Sequence, residues 1–141
     1  MVEDKTLESL PRDECLALLA GVSVGRLGVA LPGAPPLIVP VNYVLDGDVV
    51  VFRSDAGEKL VQLRGSPVSF QIDQIDPFRR TGWSVLVHGV AHEATPHEVE
   101  HLKLEPWAPG EKAHWVRVVP DAITGRRIDL PKLPTSSAGY L

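Results

Sequence analysis

Val68, Phe70 and Ile72 alternate with Ser69, Gln71 and Asp73. This period of two predicts a strand with one buried face. Apolar runs over residues 22–31, 37–45 and 83–93 predict further strands, and residues 115–119 and 125–130 predict a last one or two. Helical signals are fewer. Over residues 11–20, Pro11 suits a first turn, Cys15, Leu16 and Leu19 share a face, and Gly21 can end the helix. Asp55 and Glu58 have capping-box spacing ahead of Leu60 and Leu63, with Gly65-Ser66-Pro67 as the stop. Thr95-Pro96 followed by Glu98 opens a third helix that runs to about Leu104. Residues 76–82 and 107–110 read as loops, and residues 1–9 and 131–141 as loose tails of a single domain spanning 1–141.

Asp46-Gly47 is the clearest turn signal. A two-residue Asp-Gly loop favours a type I′ hairpin, because both positions tolerate positive φ. That register pairs Leu45 with Asp48, Tyr43 with Val50 and Pro40 with Arg53, and so sets Arg53 beside Pro40 and Asn42. The element order is helix, three strands, helix, two strands, helix, then one or two strands. Without strict alternation of strand and helix, a doubly wound parallel sheet is disfavoured. A mainly β fold is expected, an antiparallel β-barrel with flanking helices at its ends.

Composition narrows the class. The chain has 141 residues, 44% hydrophobic and 23% charged, with thirteen prolines and twelve glycines that suit many short strands. A formal charge of −4 and the lack of a basic run argue against nucleic acid. Cys15 is the single cysteine, so no intrachain disulfide is possible. No apolar stretch approaches the ~20 residues of a membrane helix, and the acidic, polar first residues do not resemble a secretory leader. The expectation is a cytoplasmic protein without membrane association.

Candidate chemistry concentrates in Phe52-Arg53-Ser54-Asp55-Ala56-Gly57-Glu58-Lys59, where a strand runs into a helix N-terminus. Free main-chain N–H groups there favour an anion. Gly57 allows close approach, Arg53 offers a bidentate fork, Ser54 a hydroxyl and Lys59 a mobile charge. Together these suit a terminal phosphate, provided that Asp55 and Glu58 point away or cap main-chain N–H groups. Pro40, within Pro40-Val41-Asn42-Tyr43, cannot donate to a ladder and implies a bulge or strand margin. Such a place can offer main-chain groups to a flat ligand, with an N–H of Val41 or Asn42 as candidate donor.

A series of short motifs links these features. Gly25-Arg26-Leu27-Gly28 comes first, then Pro40-Val41-Asn42-Tyr43 and Phe52-Arg53-Ser54 with Gly57 and Lys59. Gly82-Trp83-Ser84-Val85-Leu86-Val87 with Gly89 and Ala91 follows, then Trp115-Val116-Arg117 and Gly125-Arg126-Arg127. In this order and spacing, over roughly residues 10–130, the chain resembles the pyridoxamine 5′-phosphate oxidase-like family of FMN-binding split barrels. The resemblance implies a six-stranded antiparallel split barrel and a homodimer with FMN at its interface. It implies that Val39, Pro40, Val41 and Asn42 lie along the isoalloxazine, that Arg53, Ser54 and Lys59 hold the phosphate, and that Ser84 joins from the next strand. Trp115 and Arg126 stand where family members bring a C-terminal aromatic and a basic residue to the cofactor. The Arg-His pattern of the true pyridoxamine phosphate oxidases has no counterpart here, so oxidation of vitamin B6 is not implied.

The implied activity is a flavin-dependent oxidoreductase acting on a small molecule, in which the flavin carries hydride or electrons and the protein supplies position and electrostatics. No side chain stands out as an essential acid or base. Two alternatives use the same fold: a reductase dependent on deazaflavin F420, whose polyglutamate tail would need a basic groove from Arg64 or Arg79-Arg80, and a non-catalytic flavin-binding or sensing protein. His97-Glu98-Val99-Glu100-His101 matches the H-E-x-x-H zinc motif, but it starts in the first turn of a short polar helix and lacks an assigned third ligand. A solvated helix face is the better reading, and no metal site is expected. His88 and His92 share a strand face but stand too far apart for easy joint ligation. Cys15 reads as packing rather than as a nucleophile.

Overall fold

The computed structural model describes residues 6–130. Its order is β1 (Thr6–Ser9), α1 (Arg12–Ala20), β2 (Val24–Val29), β3 (Leu37–Asp46), β4 (Val49–Ser54), α2 (Glu58–Leu63), β5 (Pro67–Asp76), β6 (Thr81–Glu93), α3 (Pro96–Val99) and β7 (His114–Asp129). Six strands follow one another round a closed antiparallel barrel, β7–β4–β3–β2–β5–β6 and back to β7, and β1 adds to the far end of β7. This is the expected mainly β split barrel with short helices.

Alternation places the core inside the barrel. Leu27, Phe70 and Val87 are successive cross-strand neighbours on β2, β5 and β6, and all are fully buried. Burying a side chain of the size of Phe70 is worth roughly 1.5–3 kcal/mol. Its ring meets Tyr43 edge-on at 4.7 Å and occupies the space beside Gly25, where a Cβ would fall 2.2 Å from the ring. Helix α1 covers one end. Cys15 and Leu19 are buried there, and the Tyr43 hydroxyl, its pKa pushed up by burial, donates to the Leu19 carbonyl at 2.5 Å.

Strand β4 is covered on both faces. Val50 and Phe52 face the barrel core. Val49 and Val51 face a smaller cluster completed by Val99, Leu102 and Trp115. The segment between β6 and β7 therefore lies on the outside of β4. It is tied down by Arg117, whose guanidinium reaches Asp46 at 2.9 Å and Glu98 at 3.6 Å.

Several expected boundaries move. The hairpin after β3 pairs Asp46 with Val49 and Tyr43 with Phe52, so the loop is Gly47-Asp48 and the register is two residues from the expected one. Gly47 has φ +67°, while Arg80 is the only non-glycine residue with positive φ among those described. A turn with positive φ at its first central position alone is type II′, which puts glycine first. A shift of two keeps every side chain on its expected face, but Arg53 pairs across the sheet with Trp115 of β7 rather than with Pro40.

The anticipated capping box at Asp55 does not form. Helix α2 begins only at Glu58, behind Gly57. At Thr95 and Glu98 the box is present, but α3 stops at Val99 instead of near Leu104. Pro106 disfavours helical backbone at Glu105, and the Leu104 carbonyl is taken by Arg53. The expected last one or two strands form a single strand, His114–Asp129, continuous through an irregularity where Asp121 is left without a cross-strand partner between Pro120 and Ala122. Of the expected N-terminal tail, Thr6–Ser9 is paired strand. Residues 1–5 and the expected tail at 131–141 lie outside the described residues.

Candidate functional site

The barrel opens where β3 changes neighbours. Residues 37–42 pair with β2, and the β3–β4 ladder stops at Tyr43 and Phe52. Pro40, which has no N–H to contribute, lies in the half of β3 that β4 leaves unpaired. A cavity of about 310 Å³ occupies this opening, at the lower end of the roughly 300–1,000 Å³ usual for ligand sites. Its walls come from Leu27 on β2, Val39, Pro40, Val41 and Asn42 on β3, Phe52, Arg53 and Ser54 on β4, and the turn from Asp55 to Gly57; Pro106, Ala108 and Lys112 close it from the β6–β7 segment.

Polar groups gather at the β4 end. Ser54 is the one buried polar residue among those described, and its hydroxyl donates to the Asp55 carbonyl at 3.0 Å. Arg53 donates from Nε to the Lys112 carbonyl at 2.7 Å and from Nη1 to the Leu104 carbonyl at 2.8 Å. The guanidinium carbon lies 5.1 Å from the centre of the Trp115 ring, within cation–π range. Lys112 donates from Nζ to Asp55 at 2.7 Å. On the opposite wall, the Trp107 N–H donates to Asn42 Oδ1 at 2.9 Å. Residues 104–112 thus form a strap fastened across the cavity by Arg53, Asp55 and Asn42.

The structure brings together six of the ten expected site residues: Val39, Pro40, Val41, Asn42, Arg53 and Ser54 all line this cavity. Arg53 comes close to Pro40 and Asn42 through the barrel opening, not through the hairpin register. Lys59 falls in the first turn of α2, and its side chain lies outside the described residues. Trp115 stacks on Arg53 from the outer cluster and is not part of the cavity wall. Ser84 and Arg126 are cross-strand partners on β6 and β7. They line a second cavity of about 510 Å³, with Leu7, Ile75, Trp83 and Ile128.

Lys112, Asp55 in its role as the partner of Lys112, and the roof from Pro106 to Ala108 carried no periodic signal in the sequence. Loop residues take their positions from distant partners, here 51 to 65 positions away in the chain. His97 and His101 are drawn apart, His97 to Glu100 at 3.2 Å and His101 to Asp46 at 3.1 Å. His88 is hydrogen-bonded to Ser69 at 3.0 Å.

Residues 11–127 match the sequence profile of the family described as pyridoxamine 5′-phosphate oxidase. An uncharacterized protein of Mycobacterium tuberculosis is 39% identical over 128 residues, covering 84% of each chain. Among solved structures, an FAD-binding protein of Mycobacterium smegmatis is 34% identical with a TM-score of 0.67, covering 88% of this chain and 100% of that one. A candidate pyridoxamine 5′-phosphate oxidase of Corynebacterium glutamicum is 31% identical with a TM-score of 0.75, covering 89% of this chain and 100% of the other.

Proposed function

Because the chain belongs to the pyridoxamine 5′-phosphate oxidase family, we propose that it is a flavin-dependent oxidoreductase acting on a small molecule, with a flavin nucleotide, FMN in its simplest form, bound at the barrel opening. The observation that carries this reading is the make-up of the opening. Leu27, Val39, Val41, Phe52, Leu60, Pro106 and Ala108 supply apolar wall, and Arg53, Ser54 and Lys112 stand together at one end. A flavin nucleotide has the same division, a flat ring system joined to a phosphate. The donor set fits it: two cations and a hydroxyl exceed the single carboxylate, Asp55, among the described lining residues. Among the described residues, none beyond its chain neighbours lies within 4 Å of the position a Cβ would take at Gly57, so the main chain there is open to close approach from that side.

In this reading residues 39–42 hold the ring along the half of β3 that β4 leaves unpaired, and Ser54 and Arg53 receive the phosphate. A bound flavin supplies hydride or electron transfer, and the protein contributes position and electrostatics. The strap keeps water from the ring and narrows what can reach it. The FAD bound by the relative from M. smegmatis shares the ring and first phosphate of FMN, so the same end of the cavity serves either nucleotide.

The reading includes a homodimer with the cofactor at its interface. Leu7 at 62% exposure, Ile75 at 70% and Ile128 at 42% stand in a cross-strand row beside Ser84 and Arg126. Such a row is the kind of surface that interfaces bury.

The test is the absorption spectrum of the purified protein, followed by mass identification of the released cofactor and assay of NAD(P)H consumption. Flavin bound in near-equal amount to protein, with turnover, supports the oxidoreductase. Flavin without turnover leaves a flavin-binding or sensing protein, a deazaflavin points to the F420 reading, and failure to bind any of these nucleotides overturns the proposal.

A further inference from the structure

We propose that Lys112 is an anion-binding residue of the cavity, poised by Asp55, and that it exchanges this carboxylate for the phosphate of the nucleotide when the ligand enters. The inference rests on the flavin reading and adds to it a residue of the β6–β7 strap.

Lys112 and Asp55 both line the cavity, and the Lys112 side chain is only 21% exposed, while that of Asp55 is 50% exposed. The 2.7 Å ion pair therefore joins an inward-held ammonium to a carboxylate that can turn to water. Arg53 presses the main chain of the same residue into place through the Lys112 carbonyl, which fixes the root of the side chain beside Ser54. Gly110 backs the carboxylate, since a Cβ there would lie 3.5 Å from Asp55 Oδ1.

Two properties of the pair follow. A carboxylate next to an anion site opposes the anion, so Asp55 as it stands weakens phosphate binding. Of the two cations among the described lining residues, Lys112 is the one able to respond: an ammonium on a flexible stem can swing between two anionic partners, whereas Arg53 is held by two carbonyls and the Trp115 ring. Because Lys112 is carried by the strap, phosphate binding replaces one of the strap's ties, that to Asp55, with a tie to the ligand.

The experiment compares Lys112→Met and Asp55→Asn, both of which break the ion pair. Dissociation constants for FMN and for riboflavin, which lacks the phosphate, are measured by flavin fluorescence on the cofactor-free protein. A charge-assisted contact predicts that Lys112→Met weakens FMN by about tenfold or more and leaves riboflavin nearly unchanged. Asp55→Asn should leave FMN as tight or tighter, and Lys112→Arg should retain the preference for FMN over riboflavin. If the pair serves only to hold the strap, both variants weaken FMN and riboflavin alike, and the inference fails. It fails equally if Lys112→Met binds FMN like the parent while the parent binds flavin normally. A parent protein that binds neither flavin overturns the flavin reading and this inference together. Should Lys112→Met not fold, Asp55→Asn decides alone: weaker FMN relative to riboflavin refutes the exchange, and FMN as tight or tighter supports it.

Discussion

The side chain of Asn42 and the main chain of Trp107, 65 positions apart in sequence, are joined by a 2.9 Å hydrogen bond across the mouth of the barrel. Asn42 sits at the last β2-paired position of β3, and Trp107, 77% exposed, at the crest of the strap. One bond thus couples the strand proposed to carry the ring to the segment that roofs it. Asn42→Ala should cost only about 1 kcal/mol of overall stability yet loosen the strap. Limited proteolysis should cut within residues 104–112 faster than in the parent, and flavin should leave faster. Equal cleavage rates would show that Arg53 and Asp55 suffice to hold the strap.

Arg53 is a structural clamp as well as a proposed ligand. Arg53→Ala removes two hydrogen bonds from a charged donor and the stacking on Trp115. A loss of about 1.5–3 kcal/mol in urea unfolding is expected even without cofactor. Arg53→Lys should recover little of it, because a lysine cannot span both carbonyls and cover the ring. Full stability in the lysine variant would assign the clamp to charge alone.

Gly25 has no room for a side chain. In Gly25→Ala the new methyl would lie 2.2 Å from the Phe70 ring, forcing the ring off its contact with Tyr43. Overpacking of this kind costs roughly 1–3 kcal/mol. Thermal unfolding measures it, and an unchanged midpoint would mean that Phe70 can move without penalty.

The apolar row of Leu7, Ile75 and Ile128 gives the homodimer a direct test. Ile75→Glu combined with Leu7→Glu should yield a monomer by light scattering and reduce flavin content, with little change in far-ultraviolet circular dichroism, because both side chains are exposed. Persistence of a dimer in the double variant would place the interface elsewhere.

Asp46 makes stability depend on acid. Hydrogen bonds from His101 and Arg117 hold its carboxyl below the ordinary value of 3.8. A carboxyl with a lowered folded-state value contributes stability that is complete above the unfolded value and fades as pH falls from there through the folded one. Asp46→Asn should therefore be less stable than the parent near neutrality, and the gap should close below about pH 3.8. Parallel stability curves for the two proteins down to pH 2 would remove Asp46 from the acid response.

Much of the site was legible because its parts lie in strands. Val39 to Asn42 and Arg53 to Ser54 announced themselves by a proline within an apolar run and by two polar residues at a strand end. Faces survived even where the hairpin register was wrong by two, since side-chain direction repeats with that same period. Lys112 and Trp107 left no comparable trace. Their segment has neither a period of two nor one of 3.6, and the donors that fix it belong to β3 and β4.

Sequence alone determined the barrel. The alternation in β5, the apolar runs of the other strands and the spacing of turns each specify short strands with one inward face, and these are properties of neighbours along the chain. Only the tertiary structure decided that Arg53 turns two of its donors to the strap, that Lys112 enters the cavity paired with Asp55, and that Ser84 and Arg126 stand at a separate surface. Those outcomes depend on which distant groups meet when the barrel closes, and hydrogen bonds and ion pairs between loops follow three-dimensional proximity, which no local pattern encodes.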